Sequence, residues 1–460
     1  MNDYEKFLET KQVIDQKSGF NIESKKLNPM LFDWQKAIVQ WAIARGRAAL
    51  FEDCGLGKTP QQLEWANQIH KIKKEPILIL APLAVSEQTK QEGIKFGIHV
   101  NLCSSDRDIK NGINITNYEK LHKFKPEKFI GIVLDESSIL KNFTGSIRNE
   151  IINSFKKTKY RLACTATPAP NDYMELGNHA EYLGIMTRTE MLSTFFINDT
   201  SDTGTWRLKG HVKSNIFWKW MSSWAVMINR PSDIGFDDDG FILPKIHYHE
   251  HIIKSGAVPE NGLLLAIAST LDERRKVRRE TTELRCREAA DLINQTDDIW
   301  VCWVNLNNEG ETTTKFVNGA IEVAGRHSDE IKSGRMIKFA NGKLKRIVTK
   351  PKIAGLGMNW QVCNKAAFIG LSDSWEQFYQ AVRRIWRFGQ EEEVDIHIWI
   401  EEREGAVLKN IQRKDKQARL MTENMIRYMK DLTKKELEQT GRTFVDYFPN
   451  EEMRLPLWIK

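Results

Sequence analysis

Twice along its 460 residues the chain alternates short apolar, β-rich runs with stretches of helix length, and no other feature limits its possible folds so much. RAALFED, PILILAP, GINITNY, FIGIVLDES and RLACTAT form the first series; IWVCWVN, AIEVAG, KRIVTKPKIAG, AAFIGL and VDIHIWI form the second. Parallel strands need a crossover to bring the chain back, so this alternation predicts βαβ units and parallel sheets covered by helices. Between the series, PSDIGFDDDGFILP collects Pro, Gly and Asp, the composition of a turn-rich linker. The expectation is an α/β chain with two tandem parallel-sheet domains, at 28–235 and 236–405. A polar, lysine-rich arm (1–27) precedes them and a helical tail (406–460) follows. No fixed-period repeat or low-complexity tract interrupts this plan.

Composition removes several classes of function. With 41% hydrophobic residues the chain can build real cores, but its longest apolar stretches, such as PILILAPLAV, are too short to span a bilayer. The start, MNDYEKFLETKQ, lacks an apolar signal region, so a cytoplasmic protein is expected. Six cysteines are scattered without a C-x-x-C pair, against a disulfide framework or thiolate zinc site. A net charge of +7 permits a polyanionic partner without requiring one.

FEDCGLGKT, residues 51–59, resembles a triphosphate cradle but has Glu52 where the usual G-x-x-x-x-G-K-[ST] pattern has its first glycine. The cradle needs a strand, a tight turn with inward N–H groups, a lysine and a hydroxyl. RAALFED supplies the strand, and Gly55, Leu56 and Gly57 supply the turn. Lys58 can reach the outer phosphates and Thr59 can hold Mg²⁺, so residues 54–59 suffice. FIGIVLDES then ends in Asp135, suited to bind Mg²⁺, and Glu136, suited to orient an attacking water. The plainer alternative is an acidic turn after a buried strand, but the acidic pair and Lys58 fall within one predicted sheet.

In order, the chain carries LFDWQKAI, DCGLGKT, ILILAPLAV, NITNYEKL, VLDESS, LACTATPAPND, IAGLGMNW and QAVRRIWRFGQ. This series resembles superfamily 2 helicases and translocases, most closely the Swi/Snf-type branch, over roughly residues 28–405. The compact form, with TATPAPNDYMELG and a terminal LPLWI, resembles small members carried by bacteriophages and prophages. The resemblance implies two RecA-like lobes with ATP and Mg²⁺ between them, and a nucleic-acid-stimulated ATPase moving along DNA. The DNA could be duplex or single-stranded, with RNA as an alternative. A non-catalytic, nucleotide-sensing clamp is the rival from another class. A monomer is expected, with protein partners possible.

Residue by residue, the resemblance gives Gln35 the adenine edge, with Phe32 or Trp34 beside it, and Gly357 a place at the nucleotide. Gln380, Arg384 and Arg387, spaced by four and three, would share one helix face, with Arg383 turned elsewhere. Arg387 and Arg384 would neutralise charge on the γ-phosphate. Thr165 and Thr167 would couple hydrolysis to nucleic acid, although turn hydroxyls fit TATP as well. The DESS box leaves Ser137 and Ser138 without an assigned coupling role. Pro82, Thr116, Asn117, Lys350 and Lys352 are candidates for phosphate contact on the rim.

Three further patterns have plain structural explanations. DERRKVRRETTELRCRE (272–288) interleaves seven basic with five acidic residues and reads as a solvated helix face, with Arg278, Arg279 and Arg285 as possible phosphate contacts. Phe217, Trp220, Met221, Trp224 and Ile228 recur at helical spacing and read as core. His247, His249 and His251 alternate onto one face of a strand and read as a polar sheet edge rather than a metal site.

Overall fold

The computed structural model describes residues 18–82, 85–141, 145–170, 172–198, 206–209, 216–254, 271–354, 359–372, 374–402 and 405–439. Strands are numbered in chain order. The first domain contributes β1 (Arg47–Glu52), β2 (Ile77–Ala81), β3 (Val100–Leu102), β4 (Ile113–Asn117), β5 (Gly131–Asp135) and β6 (Tyr160–Thr165). It adds β7 (Phe196–Asn198), β8 (Trp206–Leu208) and β9 (Ala225–Ile228). Its main sheet has the order β3-β4-β2-β5-β6-β1-β9 and is parallel throughout, while β7 and β8 form a separate antiparallel pair. The inner strands β1, β2, β5 and β6 are buried almost end to end, because helices cover both faces.

The second domain contributes β10 (Ile246–Ile253), β11 (Trp300–Trp303), β12 (Ile321–Val323), β13 (Arg346–Thr349), β14 (Lys365–Phe368) and β15 (Val394–Glu401). These pair in parallel in the order β10-β15-β14-β11-β13-β12. The α/β architecture with two parallel sheets is therefore as expected. No helix among the described residues is long and apolar enough to cross a membrane.

Two expectations need correction. The aromatic stripe is buried, as expected, but it is not one helix: the helix Ile216–Ser222 stops and β9 begins at Ala225. Ser222 and Ser223 donate their hydroxyls to the carbonyls of Lys219 and Trp220 at 3.0 and 2.7 Å, closing the last turn, and β9 pairs with β1 instead. The charged stretch is not uniformly solvated either. Arg285 is buried on the helix Thr282–Asn294 and pairs with buried Glu309 at 2.8 Å, while also donating to the carbonyl of Arg278 and the hydroxyl of Thr281. Arg278 is buried as well, which leaves Arg279 as the exposed member of the three.

The helix Gly405–Gln439 has 35 residues and ties the domains together. Val407, Leu408, Ile411 and Ala418 lie in the core of the second domain, whereas Met425, Ile426 and Met429 lie in the core of the first. Tyr428 stacks on Trp218, with centroids 5.4 Å apart and planes within 6°. The helix is thus a strap with one end in each core.

Candidate functional site

At the carboxyl end of β1 the chain turns through Gly55 (φ +92°) and Gly57 (φ +78°) into the helix Lys58–Lys73. Positive φ is strained for residues with a Cβ, so both glycines are required by the turn. Gly55 has a second reason: a Cβ there would lie 2.7 Å from the backbone nitrogen of Phe388 in the second domain. Lys58 folds back and donates its Nζ to the carbonyls of Glu52 (2.8 Å) and Asp53 (3.1 Å). Glu52, in place of the usual glycine, turns its carboxyl into the first domain, where Gln61 donates to it at 2.7 Å. Burial pushes that carboxyl up to about 7 against the pull of Lys58. Leu56 packs its side chain in the core.

Two strands away, β5 delivers Asp135 and Glu136. Asp135 is buried and its carboxyl is pushed up to about 7, first by burial and then by the charge of Glu136, with Lys58 opposing. Glu136 has a left-handed backbone (φ +56°), a conformation costing about 1–2 kcal/mol in a residue with a side chain. That bend exposes Glu136 more than Asp135 and sets it beside both interdomain openings. Ser137 anchors the following turn: its Oγ lies 3.1 Å from Nε2 of buried His179 within the same domain.

The second domain brings its arginines to this place, but not on a helix face. The helix Trp375–Val382 ends before them, and Arg384 and Arg387 lie in the turns that follow. The carbonyl of Gln380, which a continuing helix would give to the N–H of Arg384, accepts Nε of Arg384 at 3.0 Å, and that N–H goes to the carbonyl of Ala381 instead. Trp360 N–H takes the carbonyl of Arg384, and the buried Gln390 amide donates to the carbonyls of Ile385, Gln361 and Cys363. Burial and the charge of Arg384 push the Arg387 guanidinium down to about 10, an environment suited to an anion.

Lys58, Thr59, Asp135, Glu136, Arg384 and Arg387 all line one cleft of about 270 Å³. Gln35 is also at its wall, buried, donating Nε2 to the carbonyl of Leu56 (2.9 Å) and accepting the N–H of Phe32 (3.1 Å). It therefore braces the loop in this structure. Phe32 meets Phe241 of the linker edge-on (5.2 Å), and Phe241 stacks on Phe388 of the second domain (4.7 Å). Trp34 is buried behind them. Gln380 is a correction: it faces a second groove, beside Glu376, rather than the cleft. Gly357 lies outside the described residues.

That groove, about 1310 Å³, runs between the domains and gathers Pro82, Thr116, Asn117 and Lys352, with Lys120, Lys141 and Lys332. Lys350 instead donates to Asn307 at 2.7 Å. Asn117 is engaged locally, capping the next turn by accepting the N–H of Lys120. Thr165 accepts the N–H of Thr167 at 3.1 Å, the turn role weighed above. The histidines lie on the edge strand β10, where His249 pairs with Asp395 and His251 with His397 on β15, and His247 with Glu393 just before it.

Sequence reasoning missed Asp53, Tyr379 and Arg383. Tyr379 and Arg383 both reach Asp53 across the interdomain boundary. Arg383 does turn away from Arg384, but toward Asp53 and Cys54 at the start of the glycine turn. Its adjacency to the arginine pair was the only available signal.

Residues 34–195 match the family model described as SNF2-related domain. A SWI/SNF-related matrix-associated actin-dependent regulator of chromatin subfamily A-like protein 1 from Bos taurus is 30% identical over 162 residues. Those residues are 33% of this chain and 17% of that protein. The CHD3-type chromatin-remodeling factor CHR7 of Arabidopsis thaliana is 24% identical over 173 residues, 33% of this chain and 14% of that one. Among solved structures, the Sulfolobus solfataricus SWI2/SNF2 ATPase core in complex with dsDNA is similar at a TM-score of 0.42 and 19% identity, over 93% of this chain and 100% of that one. The family match contains Lys58, Asp135 and Glu136 and stops well before Arg384.

Proposed function

We propose that the chain is an ATP-driven motor of the Swi/Snf type that moves along DNA, hydrolysing ATP between its two domains. One observation carries this reading: Lys58, Thr59, Asp135 and Glu136 of the first domain share a cleft with Arg384 and Arg387 of the second. The family match over residues 34–195, and the likeness to chromatin-associated SWI/SNF relatives, support nucleic acid as the partner. Duplex DNA is the preferred track, with single-stranded DNA and RNA as outcomes of the test.

The residues suit the chemistry. Lys58 would exchange two carbonyls for the outer phosphates, and backbone amides of residues 55–59 would face the same anion. Thr59 and Asp135 offer the hard oxygen donors that Mg²⁺ prefers, and a bound Mg²⁺ would neutralise phosphate charge there. Glu136, the more exposed carboxylate, would orient water, and Arg384 and Arg387 would stabilise charge developing on the γ-phosphate. A clamp that only senses nucleotide has no use for a water-orienting carboxylate.

The test is phosphate release from ATP with duplex, forked and single-stranded DNA and RNA at one stated salt concentration, since phosphate contacts are strongly salt-dependent. Stimulation by duplex DNA and loss of turnover in Lys58→Ala are expected. Full turnover in that variant overturns the site. Strand separation on the forked substrate would mark a helicase rather than a translocase.

A further inference from the structure

Asp53 stands at the junction of the two domains and is held from both. Its Oδ1 accepts the N–H of Cys54 (2.7 Å) and the hydroxyl of Tyr379 (2.5 Å), while its Oδ2 accepts Nη2 of Arg383 (2.5 Å). The same Nη2 donates to the carbonyl of Cys54 at 2.8 Å. Arg383 is 3% exposed at its side chain and lies against Trp386, 4.9 Å from the ring centroid. Charge-assisted bonds of this kind, sheltered from water, are stronger and more directional than surface ion pairs.

What Asp53 joins matters more than the bonds themselves. On its own chain it begins the phosphate loop, and its carbonyl holds Lys58. In the other domain Arg383 immediately precedes Arg384 and lies four residues before Arg387, at the start of the turns that carry both. The two backbones touch just beyond, where Gly55 meets Phe388. A grip on residues 53 and 54 therefore fixes the turn carrying the arginine pair relative to the turn that would carry the phosphates.

We propose that Asp53, Tyr379 and Arg383 form an interdomain latch whose members are positioning residues: they set the arginine pair over the phosphate loop, and so control turnover more than nucleotide affinity. This rests on the ATPase reading above. A group that improves placement only in the reacting state lowers kcat when lost while leaving substrate binding almost unchanged.

The experiment compares wild type, Lys58→Ala, Tyr379→Phe, Arg383→Met, Asp53→Asn and Asp53→Asn/Arg383→Met as full-length chains. It measures kcat for phosphate release with duplex DNA and the equilibrium Kd of a fluorescent ATP analogue. Tyr379→Phe should lose about three- to tenfold in kcat and Arg383→Met at least tenfold, with Kd within about threefold of wild type. In the double variant the losses should not multiply, because both act through one contact. Turnover within twofold of wild type in both single-domain-two variants, a loss confined to Kd, or multiplying losses overturns the latch while leaving the ATPase reading intact.

Cys54 supplies a readout that needs no turnover. Among the six cysteines it alone is partly exposed; the other five are buried. Its carbonyl is gripped by Arg383. Without nucleotide, Arg383→Met and Asp53→Asn should speed its reaction with Ellman's reagent several-fold, and Cys54→Ser should remove that phase. If wild type releases no phosphate on any nucleic acid, the ATPase reading fails, and this rate alone decides whether the latch holds the domains. An unchanged rate overturns it.

Discussion

The strap helix gives the most demanding prediction about the fold. Met425, Ile426 and Met429 are 1%, 8% and 0% exposed in the core of the first domain, while Val407, Leu408 and Ile411 are anchored in the second. At about 1.5–3 kcal/mol for each buried side chain, the three residues hold the distal half of the helix down with roughly 5–8 kcal/mol. Met425→Asp/Met429→Asp removes most of that, because a carboxylate will leave the apolar site rather than lose its hydration. The near half should stay docked. By hydrogen exchange, amides of residues 421–433 should exchange at least about a thousandfold faster, at one decade per 1.4 kcal/mol, while those of 407–418 hold their protection. Trp218 loses its stacking partner, so the helix Ile216–Ser222 should also loosen. Lys430→Ala, on the exposed side, should stay within about 0.5 kcal/mol of wild type. Unchanged protection over 421–433 refutes the docking energy, and loss spreading through 407–418 refutes a strap with two separate anchors.

Glu136→Gln should keep nucleotide binding but lose at least about a hundredfold in turnover, which single-turnover phosphate release and equilibrium binding together will check. Arg285→Met strands the buried Glu309 carboxylate and should cost about 3–5 kcal/mol in urea unfolding, whereas Arg285→Met/Glu309→Gln should recover a large part of it. His179 adds a pH dependence: burial pushes its imidazole from the ordinary 6.5 down to about 4. Below pH 6.5 the unfolded chain takes up a proton that the folded chain refuses, so this contribution is intact above that value and is lost as pH falls toward 4. Urea midpoints at pH 7.5 and 5 should converge more in His179→Asn than in wild type.

Much of the candidate site was legible because its signals are local. A phosphate loop is a strand, two positive-φ glycines, a lysine and a hydroxyl in consecutive positions, and Gly55 to Thr59 were assigned on that basis. The acidic pair after an apolar strand was equally plain, as was the histidine row on an edge strand. Helical spacing misled where carbonyls found other partners: Arg384 and Arg387 share the cleft, yet the helix ends at Val382 and Gln380 faces the groove. Charge counting misled at Arg285, whose partner Glu309 is 24 positions away.

The amino-acid order determined two parallel sheets and set the Gly55–Gly57 turn and the acidic pair at strand ends, since period, turn chemistry and residue type act over a few neighbouring positions. It did not determine which surfaces would meet. That Arg383 grips Asp53, 330 residues earlier, and that one helix enters two cores, followed only when the domains packed. Periodicity reports that a face is apolar or charged, but its partner is chosen by burial and electrostatics across the whole chain.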